Sequence, residues 1–169
     1  MPVVPPAACR TRERSLVTVR GTLYTDGGSR GNPGPGGIGI VLLRENGDIC
    51  CSGGRFLGAC TNNVAEYEAL IWGLQAAAVC GVTDLLVRAD SELVVKQMRG
   101  EYRVKHPGLQ PLHVRAKEAA RGLSAVRYEH VRREQNKLAD ELANAAMDAQ
   151  CDVGDVPTDA SCDDQETLF

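Results

Sequence analysis

The order of strand-like and helix-like segments limits most strongly the folds open to this chain of 169 residues. Three β-rich segments come first, at 19–25, 38–44 and 48–56, and the turn at 45–48 joins the last two as a hairpin. Helical spacing of apolar residues follows over 62–79, and a short apolar strand over 85–89. A helix that ends at 98 comes next, followed by a helix over 111–121, a strand over 125–131 and a final helix over 135–149. Three meandering strands followed by helix–strand units predict an α/β fold with a mixed sheet and helices on its faces.

The length and composition predict one domain with short flanking segments. With 43% hydrophobic residues the chain can bury a sizeable core, which we expect within 19–149. Residues 1–18 begin Pro-rich, and 150–169 are acidic with few aromatic residues. Both segments are predicted to be disordered, the second as an acidic C-terminal tail.

Charge is distributed unevenly along the chain. The net charge is −3, but residues 151–169 hold six acids and no Lys or Arg, so residues 1–150 carry 19 basic against 16 acidic side chains. Residues 96–137 contain eleven Lys or Arg and four acids. This local excess suits the phosphates of a polyanion, although a solvated helical face would have the same composition.

Cysteine usage and hydropathy indicate the compartment. The seven cysteines include no C-x-x-C pair, so neither a disulfide framework nor a zinc site is predicted. A reducing cytoplasm fits best. The longest apolar region, 69–82, is too short to cross a bilayer, and no association with a membrane is expected.

Four carboxylates stand at the edges of predicted strands or helices: Asp26, Glu66, Asp90 and Asp140. If the fold gathers them, a divalent cation must offset their mutual repulsion. The pattern therefore indicates a metal-dependent nuclease. Each acid also has an ordinary alternative, as a cap, a turn residue, a solvent-facing side chain or a member of a surface ion pair.

The glycine-rich segment at 26–39 contains two patterns known from other enzymes. Gly34, Gly36 and Gly39 satisfy G-x-G-x-x-G, and Gly27, Ser29 and Gly31 satisfy G-x-S-x-G. Both motifs require a following helix, whereas a strand is predicted after the first and prolines follow the second. The segment instead indicates a side-chain-poor turn whose backbone amides can approach a ligand closely.

Several motifs, in order, resemble the ribonuclease H type 1 family. They are Tyr24-Thr25-Asp26-Gly27 with the glycine-rich segment, Thr61-Asn62-Asn63-Val64-Ala65-Glu66, Ala89-Asp90-Ser91 and Asn136-Lys137-Leu138-Ala139-Asp140. The resemblance covers about 19–149 and implies a ribonuclease H-like fold with a five-stranded mixed sheet.

The resemblance also implies an activity. Members of the family hydrolyse the RNA strand of RNA/DNA hybrids and leave 5′-phosphate and 3′-hydroxyl ends. By resemblance, Asp26, Glu66, Asp90 and Asp140 bind two Mg²⁺ ions, with Mn²⁺ as an alternative. Oxygen ligands suit these hard cations. No organic cofactor is expected, and we expect a monomer.

Substrate recognition is assigned by the same resemblance. It places Asn32, Asn62 and Asn63 at the RNA 2′-hydroxyl groups, since a carboxamide can both donate and accept a hydrogen bond. Thr61 and the backbone near Gly27 would contact phosphate or sugar. An Asn pair at a helix start is otherwise commonly a cap.

The chain departs from the family pattern in two places. The histidine that many members carry before the last helix is absent from residues 132–135. Arg133 is the candidate replacement, with Arg132 as the alternative, and an arginine would stabilise phosphate or leaving-group charge rather than carry protons. The basic, Trp-containing protrusion of some relatives is also absent, which leaves Lys96, Arg99 and Arg103 as candidate contacts to the hybrid.

Two other functions remain open at this level. One is a nuclease-inactive module that binds hybrids, although the intact set of four acids argues against it. The other is a different substrate, because integrases, transposases and junction resolvases share this fold class.

Overall fold

The structure is a computed structural model that describes residues 17–157. It opens with three antiparallel strands, β1 (Arg20–Ser29), β2 (Gly34–Arg44) and β3 (Ile49–Cys60). The rest of the described chain forms, in order, α1 (Asn62–Val79), β4 (Asp84–Ala89), α2 (Glu92–Met98), α3 (Gln110–Ala120), β5 (Ala125–His130), a 3-10 helix (Arg133–Gln135), α4 (Lys137–Ala149) and β6 (Val153–Asp155).

The strands form one mixed sheet in the order β5-β4-β1-β2-β3-β6. Strands β1, β4 and β5 run parallel, since the chain enters β4 through α1 and β5 through α2 and α3, whereas β2, β3 and β6 pair antiparallel with their neighbours. The carboxyl ends of β1 and β4 therefore lie side by side. This placement, at one edge of an α/β sheet, is where such folds bind ligands.

The predicted α/β fold with a mixed sheet is confirmed, but the predicted number of five strands is wrong. The sixth strand, β6, pairs with β3 at Ser52, Gly53 and Gly54. It lies inside the segment predicted to be a disordered tail. The rest of that tail, 158–169, and most of the N-terminal extension, 1–16, lie outside the described residues.

The glycine-rich segment is more regular than the sequence suggests. Strand β1 continues to Ser29 and β2 begins at Gly34, so only residues 30–33 form the connecting loop. Gly39 and Gly54 lie where α4 crosses the sheet, and a Cβ at either would overlap the backbone oxygen of Ala139 or Leu142. The missing side chains let α4 pack directly on β2 and β3.

Helix α1 supplies most of the core on the opposite face. Its N-cap is Thr61, whose side chain accepts a hydrogen bond from the backbone of Val64. Ten of its residues are buried, among them Tyr67 and Trp72. The helix packs against β1, where Gly73 makes room for the side chain of Leu23.

None of the helices between residues 17 and 157 has the length and apolar character needed to cross a bilayer.

Candidate active site

The four predicted carboxylates converge on one groove. Asp26 lies in β1 and Asp90 follows β4, while Glu66 and Asp140 lie in α1 and α4. Asp26, Glu66 and Asp90 each present an oxygen within 4.8 Å of the others. Asp140 reaches the side chain of Asp26 from the other side. We call this cleft, with a volume of about 370 Å³, the acidic groove.

Strand register explains why the two aspartates meet. In the parallel pair β1–β4, Thr25 lies opposite Ala89, so the next residue of each strand lies at the same sheet edge. Those residues are Asp26 and Asp90. The two residues are far apart in sequence, and the path through β2, β3 and α1 brings β4 back beside β1.

Gly27 brings the third carboxylate into place. A Cβ at this position would lie 2.7 Å from the backbone nitrogen of Glu66, so only glycine lets α1 approach β1 this closely. The backbone of Gly27 also hydrogen-bonds the carboxyl group of Glu66. The Asp-Gly dipeptide therefore supplies one carboxylate and the space for another.

Crowding and burial change the protonation of these groups. Burial, the charge of Asp90 and a hydrogen bond with Asp140 raise the pKa of Asp26 to about 8. Burial, followed by the charges of Asp26 and Asp90, raises the pKa of Glu66 well above its usual value. The carboxylates therefore lack enough positive charge nearby to hold them all ionised at neutral pH.

The site has the donors that a hard divalent cation requires. Oδ1 of Asp90 is buried without a hydrogen-bond partner in the described part of the chain, which is costly unless another ligand satisfies it. The surrounding ligand atoms are carboxylate oxygens, with no thiol or imidazole among the three that cluster. This set fits Mg²⁺-like cations rather than softer metals.

Of the asparagines predicted to bind substrate, Asn62 lines the acidic groove and Asn32 is hydrogen-bonded to Asn62. Oδ1 of Asn62 accepts from the backbone and the hydroxyl of Ser29, at 2.8 and 3.0 Å. Oδ1 of Asn32 accepts from the backbone nitrogen of Asn62 at 3.2 Å. Asn63 is exposed on the first turn of α1, and Thr61 caps that helix.

The two candidate arginines differ in position. Arg133 lines the acidic groove, and its Nη2 lies 3.4 Å from Oδ1 of Asp140. Arg132 is exposed and is not part of the groove lining. The last residue of β5, His130, places Nε2 3.2 Å from the backbone oxygen of Asp90, so a histidine does contact the site's backbone, though outside the loop where the family carries one.

Sequence reasoning missed a buried polar residue behind the site. Asn136 is 2% exposed, and its Nδ2 donates to the backbone oxygen of Thr25 at 2.8 Å. This hydrogen bond ties the start of α4 to β1 at Thr25, the residue that precedes Asp26. The sequence does place Asn136 just before a helix whose first turn holds Asp140. An asparagine at such a position is usually a cap, so its position alone does not indicate an inward-facing role. Its side chain caps nothing.

Sequence and structure comparisons identify the family. A family model described as reverse transcriptase-like matches residues 24–146. Ribonuclease HI from Halobacterium salinarum is 47% identical over 125 residues, which are 74% of this chain and 63% of that protein. The bifunctional protein Rv2228c from Mycobacterium tuberculosis is 48% identical over 128 residues, 75% of this chain and 35% of that protein. The chain thus spans less than two thirds of the length of either relative.

Solved structures extend this similarity to the fold. The N-terminal RNase H domain of Rv2228c superposes with a TM-score of 0.76 at 46% identity, covering 78% of this chain and 96% of that one. LC11-RNase H1, solved in complex with an RNA/DNA hybrid, superposes with a TM-score of 0.74 at 41% identity, covering 77% of this chain and 98% of that one. Because the family model, these relatives and the acidic groove at the sheet edge agree, the chain belongs to the ribonuclease H family, in its type 1 branch.

Proposed function

We propose that this protein is an endoribonuclease that hydrolyses the RNA strand of RNA/DNA hybrids. The observation that carries the proposal is the carboxylate trio of Asp26, Glu66 and Asp90, with oxygens within 4.8 Å, in an open groove beside the asparagines. The solved relative that holds an RNA/DNA hybrid supports the substrate class. The relative named ribonuclease HI supports the reaction.

The proposed cofactor is two Mg²⁺ ions, with Mn²⁺ as a substitute and no organic cofactor. Asp26, Glu66, Asp90 and Asp140 would hold them, and the orphaned oxygen of Asp90 is the atom that most needs such a partner. Ions held by these carboxylates would supply activation of water near neutral pH and stabilisation of charge on the leaving 3′ oxygen. The products in this proposal carry 5′-phosphate and 3′-hydroxyl ends.

Other residues of the chain would bind the substrate, stabilise phosphate charge and position the carboxylates. The asparagines Asn32, Asn62 and Asn63 contact the RNA sugars, while Thr61 and the backbone at Gly27 lie against sugar or phosphate. Arg133, which is 76% exposed and free to move from Asp140, stabilises phosphate charge at the other end of the groove. Gly27 and Asn136 position two carboxylates through backbone contacts.

The catalytic unit in this proposal is the domain at 19–149, with β6 completing its sheet. The segments 1–18 and the acidic tail flank it and have no catalytic role. We propose that the protein acts in the cytoplasm as a monomer.

Labelled RNA/DNA, RNA/RNA and DNA/DNA duplexes test the proposal. We expect cleavage of the RNA strand of the hybrid only, with Mg²⁺, and loss of cleavage with EDTA or in Asp90→Asn. Cleavage that persists in EDTA would refute metal dependence. Cleavage of DNA/DNA would indicate an integrase- or resolvase-like substrate, and tight binding of the hybrid without any cleavage would indicate a binding module instead.

A further inference from the structure

Ser29 is the residue of the rejected G-x-S-x-G pattern, and the structure gives it a different role. We propose that Ser29 is a positioning residue that fixes the carboxamide of Asn62 with its oxygen turned into the protein and its NH₂ group free for substrate. The inference rests on the proposed function and names one of the contacts that select the hybrid. Neither the family resemblance nor the motif assigns this role to Ser29.

The orientation of Asn62 follows from donor chemistry. The backbone N–H of Ser29 lies 2.8 Å from one terminal atom of the Asn62 carboxamide. A peptide N–H can only donate, so that atom must be the oxygen. The Ser29 hydroxyl, 3.0 Å from the same oxygen, shares its proton with the backbone oxygen of Gly31. The backbone N–H and the hydroxyl of Ser29 therefore both donate to the carboxamide oxygen of Asn62.

Asn32 is oriented by the same reasoning. Its Oδ1 accepts from the backbone N–H of Asn62 at 3.2 Å. Both carboxamide oxygens are thus engaged within the protein, and neither NH₂ group has a hydrogen-bond partner among residues 17–157. The pair would donate to substrate oxygens, at the 2′-hydroxyl or at phosphate. Oδ1 of Asn62 already accepts two hydrogen bonds, so Asn62 would meet substrate as a donor, whereas Oδ1 of Asn32 accepts one and can accept a second.

The location of Ser29 makes it suitable for this task. It is the last residue of β1, where it pairs with Gly36 of β2, and two residues, Gly27 and Gly28, separate it from Asp26. The central strand of the sheet therefore carries a carboxylate and the residue that orients the nearby amide. A carboxamide held in one rotamer loses less entropy when substrate binds, so the contact favours binding rather than the chemical step.

A double-mutant cycle tests the coupling between Ser29 and Asn62. The four proteins are wild type, Ser29→Ala, Asn62→Ala and the double variant. KM and kcat are measured with an RNA/DNA hybrid and Mg²⁺, and hybrid Kd is measured with each variant in an Asp90→Asn background, which prevents cleavage. Ser29→Thr tests rescue, and Ser124→Ala, at the opposite end of the sheet, is the matched control.

We expect Ser29→Ala to raise KM and Kd about three- to tenfold, because it removes one shared hydrogen bond but retains the backbone donor. The kcat value should stay within about twofold. In the Asn62→Ala background, Ser29→Ala should have no further effect. Ser29→Thr should restore KM and Kd, and Ser124→Ala should match wild type.

Any of three results would overturn the positioning role. The first is an unchanged KM and Kd in Ser29→Ala, and the second is an effect of Ser29→Ala that is the same with and without Asn62. A fall in kcat together with a lower melting temperature, not rescued by Ser29→Thr, would assign Ser29 to folding and also overturn the role. Failure of the wild type to cleave the RNA strand would instead refute the proposed function itself.

Discussion

Nη2 of Arg133 lies 3.4 Å from Oδ1 of Asp140, the carboxylate that stands apart from the tight trio. The 3-10 helix before α4 places the arginine at this end of the acidic groove. An ion pair with so exposed a partner contributes little to stability, about 0–1 kcal/mol. The arginine can therefore leave Asp140 for a phosphate at little cost, as the proposed function requires.

We expect Arg133→Ala to lower kcat about tenfold or more, because it removes a charged donor beside the reacting phosphate. Arg132→Ala, one residue away and outside the groove lining, should change kcat less than about twofold. Steady-state cleavage of a hybrid measures both. Equal effects from the two variants would contradict the assignment of Arg133.

Asp26 should make the metal-free protein less stable as pH rises. Its pKa is about 3.8 when unfolded and about 8 when folded. Between these values the unfolded state releases a proton that the folded state keeps, so the free energy of unfolding falls from about pH 4 to pH 8. Urea unfolding in EDTA at pH 5 and pH 8 measures this slope.

Asp26→Asn should remove much of that slope and stabilise the metal-free protein at pH 8 by about 1–3 kcal/mol. The variant should also lose cleavage. Glu118→Gln, an exposed carboxylate on α3, is the control and should keep the wild-type slope. An Asp26→Asn protein less stable than wild type at pH 8 in EDTA would contradict the crowding argument.

Divalent cations should raise the melting temperature by relieving the same repulsion. The rise should be larger at pH 8 than at pH 5, because protons compete for the carboxylates at the lower pH. Asp90→Asn should weaken Mg²⁺ or Mn²⁺ binding about tenfold or more, seen as a shift in the metal titration. Glu101→Gln, exposed after α2, should leave the titration unchanged.

The elements with strong local signals were predicted well from sequence. Helix α1 has the predicted bounds because Thr61 caps its start and apolar residues recur along it until Val79. Helix α2 ends at Met98 as predicted, and Ser91 caps its start by accepting a hydrogen bond from the backbone of Val94. The four carboxylates converge as expected, since each sits at the end of a strand or in a helix that the topology brings to one edge.

The parts that were missed depend on distant partners. Strand β6 has three residues, contains Gly154 at φ +81° and lies in an acidic segment, so nothing local indicates a strand. It exists because β3 offers it an edge. The final helix begins at Lys137 rather than 135, because Asn136 turns inward to Thr25, a contact 111 residues away in sequence.

Gly39→Ala should destabilise the fold by about 2 kcal/mol or more, because a Cβ there would overlap the Ala139 backbone oxygen. The backbone of α4 cannot yield as a flexible side chain could. Gly122→Ala, whose Cβ would meet its nearest atom at 3.4 Å, is the matched control and should stay within about 0.5 kcal/mol. Urea unfolding distinguishes the two.

Removal of β6 should expose Trp72, the only tryptophan of the chain. The guanidinium of Arg55 lies 4.5 Å from the centre of the Trp72 ring and pairs with Asp152, while Val156 packs against the same core. We expect truncation after residue 151 to red-shift the tryptophan emission and lower the melting temperature. Truncation after residue 157 is the control, and an identical spectrum for both would contradict this packing.

The pairing of β6 with β3 also determines when, during synthesis, this edge of the sheet can close. Ser52 and Asp155 are register partners but are separated by about three fifths of the sequence. Until residues 153–155 leave the ribosome, the outer edge of β3 lacks this partner, and its unpaired backbone groups can recruit another chain. The folded domain closes that edge with β6.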